Sequence, residues 1–98
     1  MKMQKRFGRA LQALRKTRGV TQEDFALISS RTYMSSLERG LQSPTMAKLD
    51  EFAPLLEVHP VTLFALGYAL NDAKDINSLC DHVRAELLEL LKARAAGR

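Results

Sequence analysis

The chain has 98 residues, 46% of them hydrophobic and 27% charged, which allows one modest core and excludes global disorder. A single cysteine, Cys80, excludes an intramolecular disulfide framework and fits a reducing compartment. The net charge of +4 is unevenly spread: residues 1–48 carry ten Lys or Arg against three acids, and residues 49–98 carry five against eight. That split suggests a polyanion-binding head joined to an assembly tail, set against the plainer reading of a solvated charge asymmetry.

The helical period dominates from end to end. Phe7, Leu11 and Leu14 recur at i, i+4, i+7, opposite Lys5, Arg9 and Lys16, so the first helix is amphipathic and Gly19 is its stop. Residues 1–18 share a basic, acid-free composition with transit peptides, but they lack serine and run directly into the next motif, so they read as domain. Thr21 can cap a second helix whose first turn carries Glu23 and Asp24, with Phe25, Ala26 and Ile28 as its buried face. Ser29-Ser30 form a turn, and Ser30 can cap a third helix over residues 31–39, with Met34 and Leu37 inward and Gly40 as its stop.

Ser43-Pro44-Thr45 opens a fourth helix, with Met46, Leu49, Phe52 and Leu56 on one face and Pro54 set to kink or end it. His59-Pro60 starts a fifth, with Pro60 at the first helical position and Leu63, Phe64 and Leu66 as core. A capped start around residues 71–75 leads into a long final helix. Its Ile76, Leu79, Val83, Leu87 and Leu90 fall at steps of 3, 4, 4 and 3. The longest near-apolar stretch, residues 61–70, is interrupted by Thr62 and Gly67, far short of the ~18 to 20 residues of a membrane span. The fold class is all-α: a helix-turn-helix domain over residues 1–70 and a C-terminal helix over 71–98. The chain reads as soluble and cytoplasmic.

Two short helices joined by a tight turn behind a basic first helix make a helix-turn-helix arrangement. At these residues the sequence resembles the phage-repressor/Cro-like, or Xre-type, regulators. The resemblance is carried by Arg15 after Leu14, Thr21-Gln22-Glu23-Asp24-Phe25-Ala26 and Leu37-Glu38-Arg39-Gly40. It continues through Ser43-Pro44-Thr45 and Leu63-Phe64. It spans roughly residues 6 to 68 and implies a five- or six-helix, lambda-repressor-like domain that binds double-stranded DNA. The pattern departs between Ala26 and Leu37, where ten residues intervene. The family's usual segment is about two residues longer, with a glycine in the turn that Ile28-Ser29-Ser30 replaces here. The register of the third helix is thereby open by one residue.

The resemblance implies that Gln22 grips a phosphate beside the N-terminus of its helix. Arg31, Thr32, Ser35 and Ser36 would enter the major groove, Arg31 as a bidentate guanine reader. Arg39, Ser43 and the basic residues of the first helix are candidate phosphate contacts. Arg15 and Glu38 would instead pair with each other, a structural tie between the first and third helices. Tyr33 admits two readings: a ring packed on the second helix, or a hydroxyl on a phosphate.

No catalytic constellation, phosphate-cradling glycine loop or cofactor motif stands out, so no enzyme is expected. Cys80, Asp81 and His82 are adjacent, and neighbours on a helix diverge, so no metal site is expected there. His59 caps the fifth helix or lies exposed. The final helix either packs back on its own domain or meets the same helix of a second subunit. The two-fold symmetry of operator sites favours a homodimer. The sequence thus points to a transcriptional regulator binding a pseudo-palindromic operator. The alternatives are an antitoxin-type protein that sequesters a partner and a restriction–modification controller.

Overall fold

The computed structural model describes residues 2–68 and 73–97. The described secondary structure is helical, with no strand among these residues: α1 (Met3–Thr17), a 3-10 helix (Gln22–Phe25), α2 (Arg31–Glu38), α3 (Met46–Leu55), α4 (Pro60–Ala65) and α5 (Ala73–Ala95). The chain divides into two units, Met1–Tyr68 and Ala69–Arg98. The expected domain boundary between residues 70 and 71, and residues 71 and 72 of the expected capped start, lie outside the described residues.

In the first unit α1 packs on α2, α2 on the 3-10 helix, and α3 on α4. Phe7, Leu11, Phe25, Met34, Leu37, Leu49, Phe52, Ala53, Leu56 and Leu63 form its core, with Leu14, Ile28 and Leu66 partly buried against it. Each fully buried large side chain contributes roughly 1.5–3 kcal/mol of burial free energy. The Phe25 and Phe52 rings meet edge to face at 5.1 Å, joining the 3-10 helix to α3.

Helix starts and stops follow local chemistry. Thr21 and Asp24 form a reciprocal capping box on the 3-10 helix, Ser30 caps α2 and Thr45 caps α3. His59 is exposed and caps α4, its Nδ1 accepting from the Val61 N–H, so both expectations for it hold. α1 and α2 end in left-handed glycines, Gly19 at φ +69° and Gly40 at φ +74°. Pro54 is accommodated inside α3, which ends one residue later.

Four expectations are corrected, three of them about the core. The second helix is a single 3-10 turn, because the shortened segment leaves no room for an α-helix before Ser30 starts α2. Ala26, at the end of that turn, is exposed. Met46 occupies the first position of α3, before the helix reaches the core, and is 79% exposed. Phe64 stands about 100° around the axis from the buried Leu63 on a six-residue helix, so only one of the two faces inward, and Phe64 stays exposed.

In the second unit, α5 runs 23 residues. Ile76, Val83, Leu87, Leu88, Leu90 and Leu91 are all exposed and Leu79 is half-buried. No helix among the described residues is long and apolar enough to cross a membrane.

Candidate nucleic-acid interface

α2 presents two faces. Met34, Leu37 and Glu38 point into the first unit; Arg31, Thr32 and Arg39 are exposed, and Ser35 and Ser36 are half-buried between the two. The Ser30 hydroxyl accepts from the Tyr33 N–H at 3.0 Å, which makes Arg31 the first helical residue. Arg31 thus projects from the leading end of α2. Its guanidinium lies 3.4 Å from a Glu23 carboxylate oxygen, with both side chains more than 70% exposed. A pair this exposed is weak, and Arg31 can leave it for a stronger acceptor.

The inner side of α2 is fixed by a buried ionic joint. Arg15 donates from Nε to Glu38 Oε2 at 2.6 Å and from Nη2 to Glu38 Oε1 at 3.0 Å, a bidentate pair with both side chains largely sealed from water. The hydrogen bond to Glu38 raises the Arg15 pKa against the opposing effect of burial. A further Arg15 donor reaches the Val20 carbonyl at 3.0 Å, tying the joint to the loop before the 3-10 helix. The pairing that the sequence resemblance implied is therefore present.

Gln22 donates from Nε2 to Glu38 Oε1 at 3.1 Å and is half-buried. One amide hydrogen is thereby committed inward, and the second remains for an external acceptor. Tyr33 is corrected as a phosphate contact: its ring lies 6.4 Å from Phe52 and its hydroxyl is buried. The ring packs against the core, with Phe52 of α3 as its ring partner. Ser43, exposed, accepts from Gln4 Nε2 at 3.0 Å, which fixes the loop before α3 to the start of α1.

Several basic residues of the head act inside the fold. Arg6 donates to the Gly67 carbonyl at 2.8 Å and Arg18 to the Leu56 carbonyl at 3.0 Å. Lys48 donates from Nζ to the Ile28 carbonyl in the turn and pairs with Glu51 at 3.2 Å. Lys2, Lys5, Arg9, Lys16 and Arg39 are exposed and remain for the surface field.

Sequence reasoning missed Gln4, Glu23 and Lys48, whose roles depend on partners far along the chain or across the turn. It also missed Gly8. A Cβ there would sit 2.3 Å from the Leu37 carbonyl oxygen and 2.7 Å from that of Glu38, so only glycine lets α1 approach the last turn of α2 this closely. On α5, Cys80 is exposed and His82 lies 3.4 Å from Glu86. No group of three potential ligands gathers among the described residues.

Residues 6–66 match the helix-turn-helix domain family, more than half of the chain. The chain belongs to that family. It is also similar to an uncharacterized helix-turn-helix-type transcriptional regulator of Sinorhizobium fredii, 43% identical over 65 residues that cover 64% of this chain and 84% of the relative. In this helix-turn-helix the first member is the 3-10 helix, the turn is residues 26–30, and the second member is α2. α5 lies outside the matched segment.

Proposed function

We propose that the protein is a sequence-specific DNA-binding transcriptional regulator of the phage-repressor/Cro-like kind, acting in the cytoplasm as a homodimer on a pseudo-palindromic operator. The observation that carries this reading is the two-sided α2: locked inward by Arg15–Glu38 and presenting Arg31 and Thr32 outward, with Ser35 and Ser36 half-buried at the edge of that face. A rigid helix with a polar, arginine-led face suits the major groove, where a guanidinium bonds guanine O6 and N7 together. Lys5, Arg9, Arg39 and Ser43 suit phosphates, and Gln22 can add its second amide hydrogen. A dimer must set its two recognition helices about 34 Å apart, and the exposed leucines of α5 offer the apolar surface for its interface.

Selection of bound DNA from a random pool tests this reading, with an inverted repeat as the expected product. Arg31→Ala is expected to cost roughly 1–3 kcal/mol on that sequence and to relax preference at one position per half-site. Gln22→Ala should weaken cognate and random DNA alike. Equal losses on both DNAs for Arg31→Ala would remove Arg31 as the base reader. A pool that converges on no sequence would overturn the assignment.

A further inference from the structure

We propose that α5 pairs with α5 of a second copy in antiparallel orientation, self-complementary about a two-fold axis at Val83. The inference rests on the homodimer reading above and adds the geometry of its interface. The apolar line Ile76, Leu79, Val83, Leu87, Leu90 has steps of 3, 4, 4 and 3, a spacing that reads the same in both directions from Val83. Reversing one helix against the other therefore sets Ile76 against Leu90, Leu79 against Leu87 and Val83 against its own copy. Every apolar residue of the line meets an apolar residue, as an isologous contact requires.

One further feature favours the reversed orientation over a parallel one. Arg94 follows Leu90 by four residues and so continues the line itself at the end of α5. Parallel helices in register would bring two Arg94 guanidinium groups to the same level of the seam. The antiparallel pair separates them and sets each within one turn of the other copy's acidic first turn, which holds Asp75.

The test uses the full chain with Cys80→Ser and single added cysteines under mild oxidation. Val83→Cys is expected to crosslink to itself. Ile76→Cys and Leu90→Cys are each expected to stay uncrosslinked alone and to crosslink when the two proteins are mixed and allowed to exchange subunits. In the antiparallel pair two Ile76 positions are separated by about 21 Å along the axis. A disulfide spans less than about 7 Å between Cα atoms. Efficient crosslinking of Ile76→Cys alone means parallel helices and overturns the proposal. A Val83→Cys protein that neither crosslinks nor sediments as a dimer overturns it as well. Binding of the selected operator, measured on the same proteins, separates the two readings. Intact binding with the wrong crosslinks sinks only the orientation, and the expected crosslinks without DNA selectivity sink only the operator reading.

Discussion

In residues 2–68 the large side chains Phe25, Met34, Phe52 and Leu63 are fully buried, whereas α5 leaves six of its apolar side chains exposed. The first unit buries the Arg15–Glu38 joint, while on α5 the His82–Glu86 contact stands in water. The difference assigns the two regions different jobs. A unit with its own buried core can hold a recognition helix still, even with Leu27, Met46 and Val61 exposed on its surface. A helix whose apolar surface is open gains its burial free energy only from a partner surface, which couples its order to assembly. The matched helix-turn-helix segment ends before α5 begins, so the region that closes is also the region shared with the family.

The sharpest way to break this contrast is to remove one half of each contact. Arg15→Met leaves Glu38 buried with only Gln22 as a side-chain donor, and it is expected to cost about 3–5 kcal/mol in urea unfolding. Arg15→Met/Glu38→Leu should recover most of that loss, because the stranded charge goes with its partner. Glu86→Gln in α5 is expected to stay within about 0.5 kcal/mol, since the pair is exposed. A small cost for Arg15→Met would show that the joint does not hold α2.

Truncation after Asn71 separates the regions outright. The remaining unit is expected to keep its helical circular dichroism and unfold cooperatively, while sedimenting as a monomer. Operator affinity should fall by a factor on the order of 10²–10⁴, the gain that linking two half-site contacts provides. A truncated chain that remains a tight dimer would move the interface into the first unit. A chain that unfolds would make α5 part of its core.

Legibility in the sequence followed the range of the interaction. Caps were readable because Thr21, Ser30, Thr45 and His59 bond to backbone only two or three residues away. The stripe Phe7–Leu11 and the stops Gly19 and Gly40 were readable for the same reason. The Arg15–Glu38 joint was legible only through the family resemblance, because nothing local links residues 23 positions apart. Gly8 against the α2 carbonyls and Lys48 on the Ile28 carbonyl were invisible, because each depends on where a second helix lands. Periodicity overstated the core at Met46 and Phe64, since a stripe extrapolated along a short helix runs past the neighbour that would cover it. Among the candidate site residues, Arg31 and Thr32 are outward as read, and Tyr33 is drawn inward by Phe52.

The smallest effect tests whether the closed unit can be strengthened without touching either face of α2. Three helices end with the same pair of backbone bonds. Val20 N–H reaches Arg15 O and Gly19 N–H reaches Lys16 O after α1; Leu41 and Gly40 repeat the pattern after α2, and Val58 and Glu57 after α3. The motif needs a left-handed residue at its centre. α1 and α2 supply glycine there, but α3 supplies Glu57 at φ 59°. A residue with a Cβ loses roughly 1–2 kcal/mol in that conformation. Glycine avoids the loss but gives back about 0.5–1 kcal/mol in unfolded-chain entropy. Glu57 also places a carboxylate at the C-terminal end of α3, the negative end of its dipole, unfavourable by about 0.3–1 kcal/mol at low salt. Glu57→Gly is therefore expected to stabilise the first unit by about 1 kcal/mol, read as a higher urea midpoint at unchanged slope. Glu57→Ala keeps the steric strain and removes only the charge, so its smaller gain should vanish as salt is raised while that of Glu57→Gly persists in part. If the two variants gain equally at every salt concentration, the left-handed backbone costs nothing there and the strain assigned to Glu57 is wrong.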